Sequence, residues 1–127
     1  MYFKRGTIIW TDLSVWDMPH GKYAVTIGEN DTLLGFCLIN TEKSPFPAKE
    51  KFQVEVLFKN NKFLDHDSFI DCAEIFYIDK DKIDELYKNG KVKIKGQLYS
   101  NDMEKVLHYG KCDENKILTP KKKAFFQ

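Results

Sequence analysis

Leu64-Asp65-His66-Asp67-Ser68-Phe69-Ile70-Asp71-Cys72-Ala73-Glu74-Ile75-Phe76-Tyr77-Ile78-Asp79-Lys80 contains apolar, strand-like runs broken by polar residues that packing alone does not demand. Phe69 to Ile78 is long enough for one or two short strands. From Asp79 the period changes, with Ile83, Leu86 and Tyr87 at helical spacing, Asp79 as candidate N-cap and Gly90 as stop, which predicts a short helix over 79–89. A strand-to-helix switch this late in the chain marks a sheet with peripheral helices.

Working outward, Gly6 to Leu13 reads as a strand with Ile8 and Trp10 on one face and Thr7, Ile9 and Thr11 on the other, Trp10 facing the core. Ser14 to Gly21 then forms a loop carrying Trp16 and His20. Lys22 to Gly28 and Leu33 to Asn40 flank the compact turn Glu29-Asn30-Asp31-Thr32, so they form a tight hairpin. The second arm is almost continuously apolar, as expected of a central strand buried on both faces, and Gly35 allows a bulge or another backbone to approach. Glu42 to Glu50, with Pro45 and Pro47, is expected to be irregular, and Phe52 to Val56 alternates as a half-exposed strand. Lys91 to Leu98 alternates lysines with Val92 and Ile94, the pattern of a protected edge strand. Asn101 and Glu104 predict a capping box for a helix over 101–109. Thr119-Pro120 starts a short tail helix whose Phe125 and Phe126 need covering.

The chain has 127 residues, 43% of them hydrophobic and 14% aromatic, which fits one domain over 1–127 with its core at about 5–110 and an extension over 111–127. No apolar run approaches the roughly 20 residues of a membrane span. With no signal-peptide pattern either, a soluble cytoplasmic protein without a membrane partner is expected. Cys37, Cys72 and Cys112 are too far apart for a metal-spaced pair and odd in number, so reduced thiols and no metal site are expected. A net charge of +1 gives no global basic field, so any nucleic-acid contact must be local. Of the 20 basic residues only Arg5 is arginine, which limits bidentate recognition of phosphate or guanine.

Three motifs in order, Arg5-Gly6-Thr7-Ile8-Ile9-Trp10-Thr11-Asp12-Leu13, Gly21-Lys22-Tyr23-Ala24-Val25-Thr26-Ile27 and Asp67-Ser68-Phe69-Ile70 leading to Glu74-Ile75-Phe76-Tyr77-Ile78-Asp79-Lys80, resemble the MazF/PemK-like toxins of toxin–antitoxin modules. The resemblance covers about 5–109. It implies a mainly β, α+β fold: a small SH3-like curled antiparallel sheet or barrel with peripheral helices. It departs where Lys22 replaces the family's Arg, Tyr23 its Pro and Phe76-Tyr77 its Arg-Thr.

The implied function is a toxin-like endoribonuclease that cleaves single-stranded RNA without a metal or other cofactor, homodimeric and silenced by a cognate antitoxin. The alternative is a catalytically inactive relative that binds RNA or a protein in phage or host-defence biology. On the resemblance, Lys22 and Thr41 take the catalytic positions, with Glu42 in place of Thr41 if the alignment slips by one residue. His20, two residues from Lys22, is a candidate acid or base that compensates for the missing arginine. Trp16, Tyr23 and Phe46 can stack unpaired bases, and Lys4, Lys43, Lys49 and Lys51 can line the groove. His66 is expected to shape a turn and His108 to be exposed.

Overall fold

A computed structural model describes residues 3–11 and 21–127. Its centre is a seven-stranded antiparallel sheet: β1 (Thr7–Thr11), β2 (Lys22–Glu29), β3 (Leu33–Asn40), β4 (Gln53–Val56), β5 (Ser68–Asp71), β6 (Phe76–Asp79) and β7 (Val92–Gln97). The spatial order is β4-β5-β3-β2-β1-β7, with β6 also on β3. The expected α+β architecture of antiparallel sheet and peripheral helices is present, but the sheet is open. Its end strands β4 and β7 do not pair, so no barrel closes.

The Leu64 to Lys80 stretch explains how a single strand can organise so much of the sheet. β5 pairs with the end of β3 at Ile39 and Asn40, whereas β6 pairs with its beginning from Leu33 to Phe36. Between them the Asp71 carboxylate accepts a 2.9 Å hydrogen bond from the Ala73 amide, turning the chain at the polar residues that interrupt the apolar pattern.

β3 is apolar from Leu33 to Ile39 because both of its faces are covered. Cys37 and Ile39 join Ile8, Val25 and Ile27 in one core cluster, while Phe36 and Leu38 join Ile9 and Ala24 in another. Successive strand residues point to opposite faces, so the alternation assigns each run to both clusters. The first cluster is roofed by α3 (Ser100–Lys111) through Met103 and Val106, the second by α2 (Lys80–Lys88) through Ile83 and Leu86.

Two local expectations change. The supposed irregular loop contains the short helix α1 (Pro47–Glu50), initiated by Pro47 at its first turn. The capping box at Asn101 and Glu104 does not form: α3 starts at Ser100, and the Asn101 side-chain amide donates to the Tyr99 hydroxyl instead. The tail reading holds in detail. Thr119 caps α4 (Pro120–Lys123) by accepting from the Lys122 amide, and Phe125 and Phe126 are 3% and 0% exposed in the first core cluster.

Candidate functional site

Lys22 opens β2 and Asn40 closes β3, and the antiparallel register that pairs Tyr23 with Ile39 brings these two ends together. The Lys22 amine donates to the Asn40 side-chain oxygen at 2.9 Å. A lysine at the strand end is thus held by one of its three N–H donors, and no other partner of the amine is seen among the described residues. The neighbour expected in this role, Thr41, lies just beyond the strand, one residue past the residue that meets Lys22.

On one side of this pair a depression of about 220 Å³ is lined by Trp10, Lys22, Tyr23, Thr41, His66 and Ser68, among others. Trp10 is half-buried rather than a core residue. Its ring lies so close over Gly21 that a Cβ there would collide with it, and the Tyr23 ring packs edge-on against Phe63 at 5.8 Å. His66 does shape its turn, yet it also lines this depression. Its Nδ1 lies 2.9 Å from the Asp67 carbonyl oxygen and 3.2 Å from Ser68 Oγ. A carbonyl oxygen only accepts, so a proton on Nδ1 fits this contact, and in the neutral ring Nε2 is then the acceptor.

On the other side a depression of about 230 Å³ is bounded by Lys22, Asn40, Phe46 and Phe76 and by the cluster Lys49, Asp71 and Glu74. Phe46 is 65% exposed, an apolar ring standing free at the rim. Lys49 does not face a ligand as a free cation: its amine lies 3.5 Å from Asp71 and 3.1 Å from Glu74. Partial burial alone would lower its pKa, but the Glu74 hydrogen bond and the two carboxylates outweigh that and hold it above the ordinary lysine value. Lys43 is exposed and pairs loosely with Glu50 at 3.8 Å, and Lys51 sits over the Phe52 ring.

Of the residues singled out in the sequence, the structure gathers Lys22, Tyr23 and Thr41 around one depression, with Phe46 across the strand ends in the other. Trp16 and His20 lie outside the described residues. Asn40, Trp10 and His66 were missed as site residues. The pairing of Lys22 and Asn40 at opposite ends of a predicted hairpin was the available signal for the first. His108 is exposed.

Arg5 serves the fold, because its guanidinium donates to the Ile27 oxygen at 2.7 Å and to the Phe125 and Gln127 oxygens. Tyr77 stacks on Phe125 with ring centroids 6.1 Å apart, so this part of β6 supports the tail. The three cysteines are free, with Cys37 and Cys72 buried. Among the described residues no three His, Cys, Asp or Glu side chains group as a metal site, and no helix is long and apolar enough to cross a membrane. No protein-family model matches the chain, and no curated protein matches it significantly in sequence.

Proposed function

We propose that the protein is an endoribonuclease that cleaves single-stranded RNA by attack of a ribose 2′-hydroxyl on the adjacent phosphate. The observation that supports this reading best is Lys22, whose amine is held by Asn40 and which borders both depressions, one of them also lined by an imidazole, hydroxyls and aromatic rings. His66 Nε2 takes the proton from the attacking 2′-hydroxyl. Lys22 and the Thr41 hydroxyl hydrogen-bond the non-bridging oxygens and offset the charge that builds on the phosphorane. The departing 5′ oxygen takes a proton from solvent, leaving a cyclic phosphate. Tyr23 in this depression and Phe46 in the other offer rings on which bases could stack. The same reading takes a cognate antitoxin as protein partner and a homodimer as the working form.

A second reading, an RNA- or protein-binding relative without catalysis, is favoured by Arg5, because the chain's one guanidinium is committed to backbone oxygens away from Lys22. One assay separates the two. The purified protein is incubated with mixed-sequence single-stranded RNA in EDTA. Cleavage predicts fragments with 2′,3′-cyclic phosphate ends that disappear in Lys22→Ala and His66→Ala. RNA left intact at high protein concentration would overturn the enzymatic reading.

A further inference from the structure

The edge strand β7 carries a feature that the cleavage chemistry does not use. Lys91, Lys93 and Lys95 recur at every second residue with no acidic residue among them, and all of β7 after Val92 is exposed. None of the three forms an ion pair among the described residues, whereas six such pairs, all on other lysines, are found elsewhere. The patch is local, since the net charge of the chain is only +1.

The sheet connects this edge to the depression described above. In register, Lys93 lies beside Trp10, Trp10 beside Tyr23 and Tyr23 beside Ile39, so these side chains form one row on one face. The Lys93 amine is 5.9 Å from the centre of the Trp10 ring, within cation–π reach. Trp10 and Tyr23 also line the depression with His66 and Thr41. Cations without acidic partners, followed by half-buried aromatic rings along a continuous face, are what an unpaired nucleic-acid strand requires: amines for phosphates and rings for bases.

Resting on the RNA reading above, we infer that single-stranded RNA leaves the depression across Trp10 and runs onto the lysine edge of β7, which acts as an exit track for the strand. A second copy of this chain does not fit that edge, because antiparallel self-pairing would set lysines against lysines. An added peptide strand is disfavoured as well. The register shift opposite Ile8 and Ile9 interrupts the ladder, and both bulges and lysines blunt edge pairing.

The test uses 2′-O-methylated single-stranded RNA, which lacks the attacking hydroxyl and therefore reports binding apart from cleavage. Binding is followed by fluorescence anisotropy over a range of salt concentrations. Replacing Lys91, Lys93 and Lys95 together by Gln is expected to weaken binding by about tenfold or more and to flatten the salt dependence by roughly 0.7 in the log–log slope for each phosphate no longer neutralised. Replacing exposed Lys59, Lys111 and Lys116 by Gln is the charge-matched control and leaves binding unchanged. Equal weakening by both triple variants, or by neither, overturns the track. So does a β7 variant that loses affinity for poly-glutamate while keeping its affinity for RNA, which would assign the edge to an acidic protein segment. RNA bound through β7 by a protein that leaves unmodified RNA intact would keep the track and sink the cleavage reading. Failure of the unmodified protein to bind RNA at all would sink both.

Discussion

At the residue scale, the site turns on a difference of one position. Resemblance pointed to Thr41, but strand pairing places Asn40 opposite Lys22, and the amine bonds to Asn40. A one-residue step at a strand end moves a side chain to the other face, so an alignment uncertain by one residue cannot select the partner. Register is fixed by the whole hairpin, and only the folded hairpin displays it. Asn40→Ala removes the anchor of the Lys22 amine, and with it about one hydrogen bond's worth of positioning, roughly 1–1.5 kcal/mol. The expected outcome is cleavage slowed about tenfold with little change in melting temperature, since Asn40 is only half-buried at the end of β3. Asn40→Asp should bind RNA more weakly still, because a carboxylate there competes with phosphate for Lys22. A single-turnover cleavage assay beside a thermal melt checks both, and an Asn40→Ala protein cleaving at the unmodified rate would remove the pair from the mechanism.

At the element scale, the two ends of the legibility range are β3 and the tail. The near-continuous apolar run of β3 announced burial on both faces, because no half-exposed strand would carry it. The capped tail helix was legible, the seat it closes on was not. Phe125 and Phe126 plainly needed cover, but the room for them in the first core cluster is made by distant glycines that mean little one at a time. A Cβ at Gly28 would collide with the Phe125 oxygen, and one at Gly110 with the Phe126 ring. These absences of side chain, on β2 and α3, are the seat into which the tail closes. Phe126→Ala is accordingly expected to destabilise the fold by about 3–5 kcal/mol, and Gly110→Ala by about 1–3 kcal/mol through overpacking. The double variant should cost less than the sum, because loss of the ring vacates the space that the added methyl needs. Urea unfolding of the four proteins of the cycle measures this coupling, and strict additivity would mean that the tail does not seat on Gly110. The element α1 gives a prediction in pH. It buries none of its own residues and is tied down by Lys49 to Asp71 and Glu74. The Lys49 pKa is raised in the folded protein, so its contribution is complete below the ordinary lysine value and is lost as pH rises through the higher folded value. The difference in melting temperature between the unmodified protein and Lys49→Met should therefore hold up to about pH 10.4, the ordinary lysine value, and shrink only as pH rises beyond it.

At the scale of the whole molecule, what sequence could not settle was closure. Whether a curled sheet becomes a barrel depends on whether its first and last strands meet, and no residue pattern in β4 or β7 states that; here they remain apart. What holds the open sheet together is a core on each face, and the cysteines report on one of them. Cys37, Cys72 and Cys112, scattered in the sequence, all join the first core cluster, the first two fully buried and the third packed at its margin. Burial above all, helped by the neighbouring Cys72 thiol and the Asp71 and Glu74 charges, raises the Cys37 pKa well above an ordinary thiol. Burial likewise raises Cys72, with the Asp71 charge adding to it. Because the thiolate is the reactive form, both groups are protected twice, by lack of access and by lack of ionisation. A disulfide exchange reagent should therefore label one thiol quickly, Cys112, and the other two only when the sheet opens. If that opening is global, the slow labelling of Cys37 and Cys72 will share one rate and one urea dependence, and its free energy will equal that of equilibrium unfolding. Two distinct slow rates, with Cys72 reacting ahead of Cys37, would show instead that the Leu64 to Lys80 stretch detaches from β3 before the hairpin of β2 and β3 comes apart. Mass-spectrometric counting of labelled cysteines over time in graded urea decides between these outcomes, and the Phe126→Ala variant should accelerate the slow phase because its missing ring belongs to the same cluster.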